Sequence, residues 1–180
     1  MIWFTADFHL SHKNIIKYCN RPFDGVEEMN NVILRNLKNM VKPGDTLYFL
    51  GDLTFDSEVA RIFFEKFKKI QIHFIIGNHD SQKVIKLATD FCASVSQIKD
   101  IKIEGQAITL CHYAMRVWNR SHFNSWQLYG HSHGRVEPIG KQYDVGVDNN
   151  NFLPVSFDML VKTMKSRPNN FNYIPREARS

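Results

Sequence analysis

Cysteine is scarce in this sequence: Cys19, Cys92 and Cys111 are the only three in 180 residues. An odd count with no paired spacing argues against a disulfide framework. Cys111 stands beside His112, but a small residue closing an apolar strand reads as core rather than as a nucleophile. No apolar run approaches the roughly eighteen residues of a membrane span. The opening Met1-Ile2-Trp3-Phe4-Thr5-Ala6-Asp7 has no basic leader, and its apolar run is too short for a signal peptide. A cytoplasmic protein without membrane contact is expected. Internal repeats, low-complexity segments and linkers are also missing. One domain over residues 1–165 is expected, then a polar, loosely held tail, residues 166–180, with two prolines.

What is present is a core of ordinary size. A hydrophobic fraction of 43% excludes a disordered chain. The net charge of +5 and the isoelectric point near 9.1 favour an anionic partner. The histidines say more. Five of the eight, His9, His79, His112, His131 and His133, lie in or beside a few short polar motifs.

Those motifs punctuate a regular pattern. Residues 2–6 read as a buried strand ending at Asp7. A loop over 10–25 follows, then a helix with Met29, Ile33, Leu37 and Met40 at helical spacing. Residues 46–50 form a second strand running into Gly51-Asp52. Ser57 is the expected N-cap of the next helix, whose apolar face is Val59, Ile62, Phe63, Phe67 and Ile70. A third strand over 73–76 ends at Gly77. The alternation implies a parallel sheet covered by helices. Residues 84–87 suggest a short helix. Residues 98–103 and 107–111 read as a hairpin, 127–129 and 142–147 as short strands, and 154–165 as a last helix.

Every motif sits just past the C-terminal end of a predicted strand, the edge at which open α/β sheets bind ligands. Asp7 and His9 are two apart, so an extended strand end would turn both to one side. Gly51 lets the chain turn and bring the Asp52 carboxylate inward. Asn78 offers a neutral carbonyl oxygen, and Asp80 is placed to orient His79. His112 ends a strand, and His131 and His133 follow another. Imidazole, carboxylate and one amide suit borderline divalent metals, Mn, Fe, Zn, Ni or Co, better than Mg or Ca. The candidate ligands are too many for one ion. Two ions sharing a carboxylate, roughly 3.5–4 Å apart, would use them all.

The motif set resembles the calcineurin-like metallophosphoesterase superfamily. It consists of Asp7-x-His9, Gly51-Asp52, Gly77-Asn78-His79-Asp80, His112 and Gly130-His131-x-His133. The stretch from Lys13 to Phe23 is similar to a subgroup of short phage and bacterial phosphoesterases. The resemblance implies an α/β fold, a four-layer α-β-β-α sandwich of two mixed sheets flanked by helices. It implies one metal on Asp7, His9, Asp52 and His133. The second metal falls on Asn78, His112 and His131, with Asp52 bridging and Mn the favoured ion. His79 becomes the catalytic histidine, positioned by Asp80. The second block departs from the family's frequent Gly-Asp-x-x-Asp: here Asp56 comes one residue late and no Arg follows. That argues against a phosphoprotein phosphatase.

The expected activity is hydrolysis of a phosphodiester in a nucleotide or other small phosphate ester. A hydroxide bridging the ions would attack, and His79 would act as general acid. Arg21 and the 116–126 loop, through Arg116 and Trp118, are candidates to clamp a phosphate and stack a base. A nuclease of short or single-stranded nucleic acid and a non-catalytic interaction module are the competing classes. The oligomeric state is not fixed by any of these features.

Overall fold

The computed structural model describes residues 1–178, so the last two residues of the expected tail, 179 and 180, lie outside the described residues. Two sheets pack face to face. In the first sheet, β1 (Ile2–Thr5) and β2 (Thr46–Phe49) are parallel neighbours, followed by β3 (Gln71–Ile75) and β4 (Ser94–Ser96), also parallel. The short β9 (Val155–Ser156) pairs antiparallel with β1 at the far edge. The second sheet has the order β5 (Ile98–Ile103), β6 (Gln106–Cys111), β7 (Trp126–Tyr129) and β8 (Gln142–Asp144). Its first pair is antiparallel and the other two are parallel. Both sheets are therefore mixed, and helices flank them.

Period-2 alternation sorts the strand residues between two cores. Trp3, Leu47, Phe49, Ile72 and Phe74 face one way, onto α2 (Val26–Met40), α3 (Ser57–Lys66) and α4 (Gln82–Phe91). Phe4, Tyr48, Leu50 and Ile75 face the other, onto Ile108, Leu110 and Leu128 of the second sheet. Phe157, Leu160 and Met164 of α5 (Phe157–Ser166) close that second core. Strands buried on both faces explain why β1 to β3 read as near-continuous apolar runs.

Several boundaries differ from the sequence reading for local reasons. The 10–25 loop contains a one-and-a-half-turn helix, α1 (Lys13–Tyr18), too short for a periodic signal, which buries only Ile15. Asp56, not Ser57, caps α3, its carboxylate accepting from the Glu58 and Val59 N–H groups at 2.8 and 3.4 Å. Ile62 is 53% exposed and does not belong to the apolar face of α3. The last helix starts at Phe157 because residues 155 and 156 pair with β1, and Ser156 then caps it. The β5–β6 hairpin turns on Glu104 and Gly105, both at positive φ, as a two-residue primed turn requires. Among the described residues no helix is long and apolar enough to cross a membrane.

The beginning of the tail is held, contrary to the expectation. Asn170 is buried, and its Nδ2 donates to the Ser121 and Ser125 carbonyls at 2.8 and 3.0 Å. Its Oδ1 accepts from the Lys141 N–H at 2.7 Å. A single side chain thus joins three segments beside the second sheet. Asn170→Ala strands these buried groups, and a loss of about 1–3 kcal/mol is expected. It should appear as a lower urea midpoint at unchanged slope. An unchanged midpoint would show the tail to be dispensable.

Candidate metal centre

The C-terminal ends of β1, β2, β3, β6 and β7 open at one rim of the two sheets. The chain does not continue extended there. Asp7, His9, Asp52, His131 and His133 all have positive φ, between 48° and 65°. Asp7 and His9 thus reach one place through two left-handed turns rather than through an extended end. Such conformations cost of order 1–3 kcal/mol per non-glycine residue and persist only where surroundings over-determine them. Here the surroundings are hydrogen bonds between loops. The Asp7 N–H donates to Gly51 O at 3.0 Å, and the His9 N–H to Asp52 O at 2.9 Å. The His131 N–H donates to both Asp7 carboxylate oxygens, at 3.0 and 2.9 Å. Glycine is required where the loops touch: a Cβ on Gly51 would meet the Gly77 backbone, and one on Gly77 would meet the Asp52 carboxylate.

Among the described residues three groups of ligand atoms result, each within 4.8 Å: Cys19, Asp148 and His133 in one, and, among the expected ligands themselves, Asp7, His9 and His133 in the second and Asp52, His112 and His131 in the third. The last two hold the residues the motifs supply. The Asp52 Oδ2 atom lies between them, 3.4 Å from both His9 Nε2 and His112 Nε2. Asn78 Oδ1 is 3.0 Å from His112 Nε2. His112 Nδ1 donates to the Leu50 carbonyl at 2.7 Å, and His133 Nδ1 bonds Asp148 at 2.7 Å. Each ring is thereby fixed through Nδ1, which leaves Nε2 as the candidate ligand atom, as in metal-bound histidines.

The donor set fits divalent ions. His9 Nε2 and Asp52 Oδ2 are buried and make no hydrogen bond, and an unmet buried polar atom costs about 1–3 kcal/mol. Burial drives His9 down to about 3, so its ring is neutral and its lone pair available. Burial pushes Asp7 up to about 7 against the pull of His112 and His133. Burial also opposes ionisation of Asp52, but the neighbouring His112 and His9 and the His79 N–H on Oδ1 outweigh it, and its carboxyl falls to about 2. His133 resists charging through burial, yet Asp148, Cys19 and Asp7 raise it to about 10.

His79 stands at the open side of these groups, its ring 5.2 Å from that of His9. Asp80 does not hold that ring. Its carboxylate instead accepts from the N–H groups of Asp52, Leu53 and Gly77 at 3.0, 3.0 and 2.8 Å. It thus sets the backbone of two loops, and the expected contact with His79 is corrected to this role.

The three substrate-binding candidates fall elsewhere. Arg21 is buried with its donors consumed: Nε and Nη2 hold Asp148, both at 2.8 Å, while Nη2 and Nη1 bond the carbonyls of Asp7 and Phe8. Its guanidinium braces the first motif from behind. Trp118 is buried and donates to the Ser125 carbonyl at 3.1 Å, so it has no free face for a base. The Arg116 guanidinium lies over the Phe171 ring, 4.4 Å from its centroid. Sequence reasoning missed Asp148, Asp144 and His12. Asp144 accepts from Ser132 Oγ, Gly134 N and Gly146 N and so shapes the His131–His133 loop. Both acids close or follow β8, the same strand-end position that marked the others. His12 lies three residues past His9, within the first motif stretch.

The chain belongs to the calcineurin-like phosphoesterase family, whose profile matches residues 1–169. The family consists mostly of metal-dependent phosphoesterases that use divalent ions. An uncharacterized protein of Methanocaldococcus jannaschii is 35% identical over 173 residues, 91% of each chain. The gene 66 protein of Mycobacterium phage L5 is 31% identical over 81 residues, 43% of this chain and 39% of its own. Among solved structures, a protein of unknown function from Aquifex aeolicus matches with a TM-score of 0.70 at 25% identity, over 91% of this chain and 98% of that one.

Metal loading should release protons. With no metal bound, Asp7 near 7 and His133 near 10 hold protons at pH 6 that ligation must displace. Apparent affinity is therefore expected to rise from pH 6 to 8, with fewer protons released as Asp7 ionises by itself. Calorimetry in buffers of different ionisation enthalpy measures this directly. Equal heats in all buffers at pH 6 would remove Asp7 and His133 from the ligand set.

Proposed function

We propose that this chain is a dinuclear, metal-dependent phosphodiesterase acting on a nucleotide or other small phosphate ester. The observation that carries the reading is Asp52 Oδ2, equidistant at 3.4 Å from a histidine of each of the two motif ligand groups. One carboxylate so placed would serve two ions, the first with Asp7, His9 and His133, the second with Asn78, His112 and His131. When bound, the ions supply an activated water and neutralise charge on the phosphoryl oxygens. Manganese suits the imidazole-carboxylate mixture, and Fe, Zn, Ni and Co remain compatible with it.

The rest of the chemistry belongs to the chain's own groups. Asp7 and Asp52 set the charge of the site. His112 and His133, each held through Nδ1, keep their ring planes fixed while a substrate binds. His79 has its backbone N–H on Asp52 Oδ1 at 2.9 Å, and its ring is left for the substrate. It is the general acid that donates a proton to the departing alkoxide. Asp80 acts at one remove by fixing the loop that carries His79.

The charge count selects the ester. Two divalent ions bring four positive charges, Asp7 and Asp52 remove two, and an activated water removes one more. Arg21 and Asp148 cancel each other behind the site. A diester monoanion balances the remainder and a monoester dianion exceeds it. The protein stripped of metal and reloaded with Mn²⁺ is therefore expected to give a higher kcat/KM on a chromogenic phosphodiester than on its matched monoester. A clear monoester preference would overturn the diester assignment. No turnover with two metals bound would favour an interaction module.

His79→Ala is expected to cut turnover of a diester with a poor leaving group by roughly 10²–10⁴ while both metals stay bound. Loss of metal from the variant would make His79 a ligand and not the acid.

A further inference from the structure

The exposed aromatic rings near the metal centre lie outside the 116–126 loop: Tyr113, 5.1 and 4.8 Å from the rings of His112 and His131, and, beside the general acid, Tyr18 and Phe55. Tyr18 is 61% exposed and Phe55 46%. They flank the half-buried His12, with ring centroids 6.2 and 4.9 Å from its own. Phe55 also meets the His79 ring edge to face at 4.8 Å. His12 stands 5.7 Å from His9 and 6.4 Å from His79. The three rings form a wall that starts at the general acid and runs outward along the mouth of the site.

The wall is rigid. Leu53 and Thr54, just before Phe55, are buried, and the Thr54 hydroxyl donates to the Leu10 carbonyl at 2.8 Å. Asp56, just after it, caps α3. Phe55 is thus the one apolar side chain that this fixed turn sends into solvent. Tyr18 ends α1, and its carbonyl accepts from the Arg135 guanidinium, which ties the helix to the segment after His133. Lys13 and Lys17 are exposed on the same helix, so the margin of the wall is basic. Aromatic faces held open beside cations and a phosphoryl-binding centre match one ligand chemistry, an anionic ester with a planar heteroaromatic group.

We propose that Tyr18, His12 and Phe55 are the stacking subsite of this centre, and that the substrate is a phosphodiester of a nucleoside whose base lies on Phe55. The inference rests on the phosphodiesterase reading, because His79 protonates the departing group and Phe55 touches His79. The base therefore belongs to the departing nucleoside. Hydrolysis adds water across the P–O bond: the phosphorus gains the hydroxyl, and the nucleoside oxygen leaves with the proton from His79.

The test is equilibrium binding of adenosine 5′-monophosphate and ribose 5-phosphate to the Mn²⁺-loaded full chain. The two probes share the phosphate and the ribose, and ribose 5-phosphate has a hydroxyl where the nucleotide has its base. The nucleotide is expected to bind about tenfold more tightly, the size of a single base–aromatic stack. Phe55→Leu keeps the apolar bulk without the ring, and it should bring the ratio of the two affinities close to one. Phe55→Trp should preserve the ratio, which separates loss of the ring from damage to the turn. A native ratio near one, or a ratio that survives Phe55→Leu, would overturn the subsite. Metal-dependent hydrolysis of bis(p-nitrophenyl) phosphate by the native chain is measured in parallel. Turnover with a ratio near one overturns the stacking subsite and leaves the phosphodiesterase reading intact. No turnover overturns the phosphodiesterase reading and the leaving-group assignment with it.

Discussion

The structure turns on carboxylates that each hold the backbone of another loop. Asp7, at the end of β1, accepts from the His131 N–H at the end of β7. Asp52, at the end of β2, accepts from the His79 N–H after β3. Asp80 returns the contact by accepting from Asp52 and Leu53. Strand ends from both sheets are thereby cross-linked through buried, charge-assisted hydrogen bonds. Without those links the left-handed backbone at five ligand candidates would relax, and the side chains would turn outward.

Holding such a cluster has a cost that the fold meets elsewhere. Burying charge is expensive unless it is paired, and Asp7 registers this directly in its shift to about 7. Two compensations are built in. Arg21, its charge neutralised by Asp148, donates to the Asp7 and Phe8 carbonyls and so holds the backbone of the first motif in place. The apolar cores on both faces of the first sheet give the strands little freedom to slide, so the rim they present is fixed. A divalent ion would supply a third compensation, since His9 Nε2 and Asp52 Oδ2 are buried without hydrogen bonds and are candidates to hold it.

Most of the fold and the inner part of the centre were legible from the sequence. Apolar strands ending in Asp, Asn or His left a periodic signal, and the strand-end rule placed the polar residues on one rim. What was not legible depended on backbone states and on long-range pairing. Left-handed turns at Asp7 and His9 carry no composition signal in non-glycine residues. Asp80 faces backbone rather than His79, because it closes the turn begun at Gly77 and there meets the Gly77, Asp52 and Leu53 N–H groups. Arg21 looked like a surface clamp because its partner, Asp148, lies 127 residues away. Trp118 and Arg116 looked like a stacking loop because nothing local shows that the loop is packed against its own sheet and the tail.

The departure in the second motif links the two outcomes. Relative to Gly-Asp-x-x-Asp, the extra residue before Asp56 has a structural use, since Asp56 caps α3. With Thr54 hydrogen-bonded inward and Asp56 fixed at the helix end, the residue between them can only point out. That residue is Phe55, and outward here means across the face of His79. A polar residue at that place would leave the turn and the cap unchanged. Capping therefore accounts for the position of the side chain but not for its ring. The ring packs against His12 and His79 and still leaves nearly half of the residue open to solvent, which is the face the proposed base would cover.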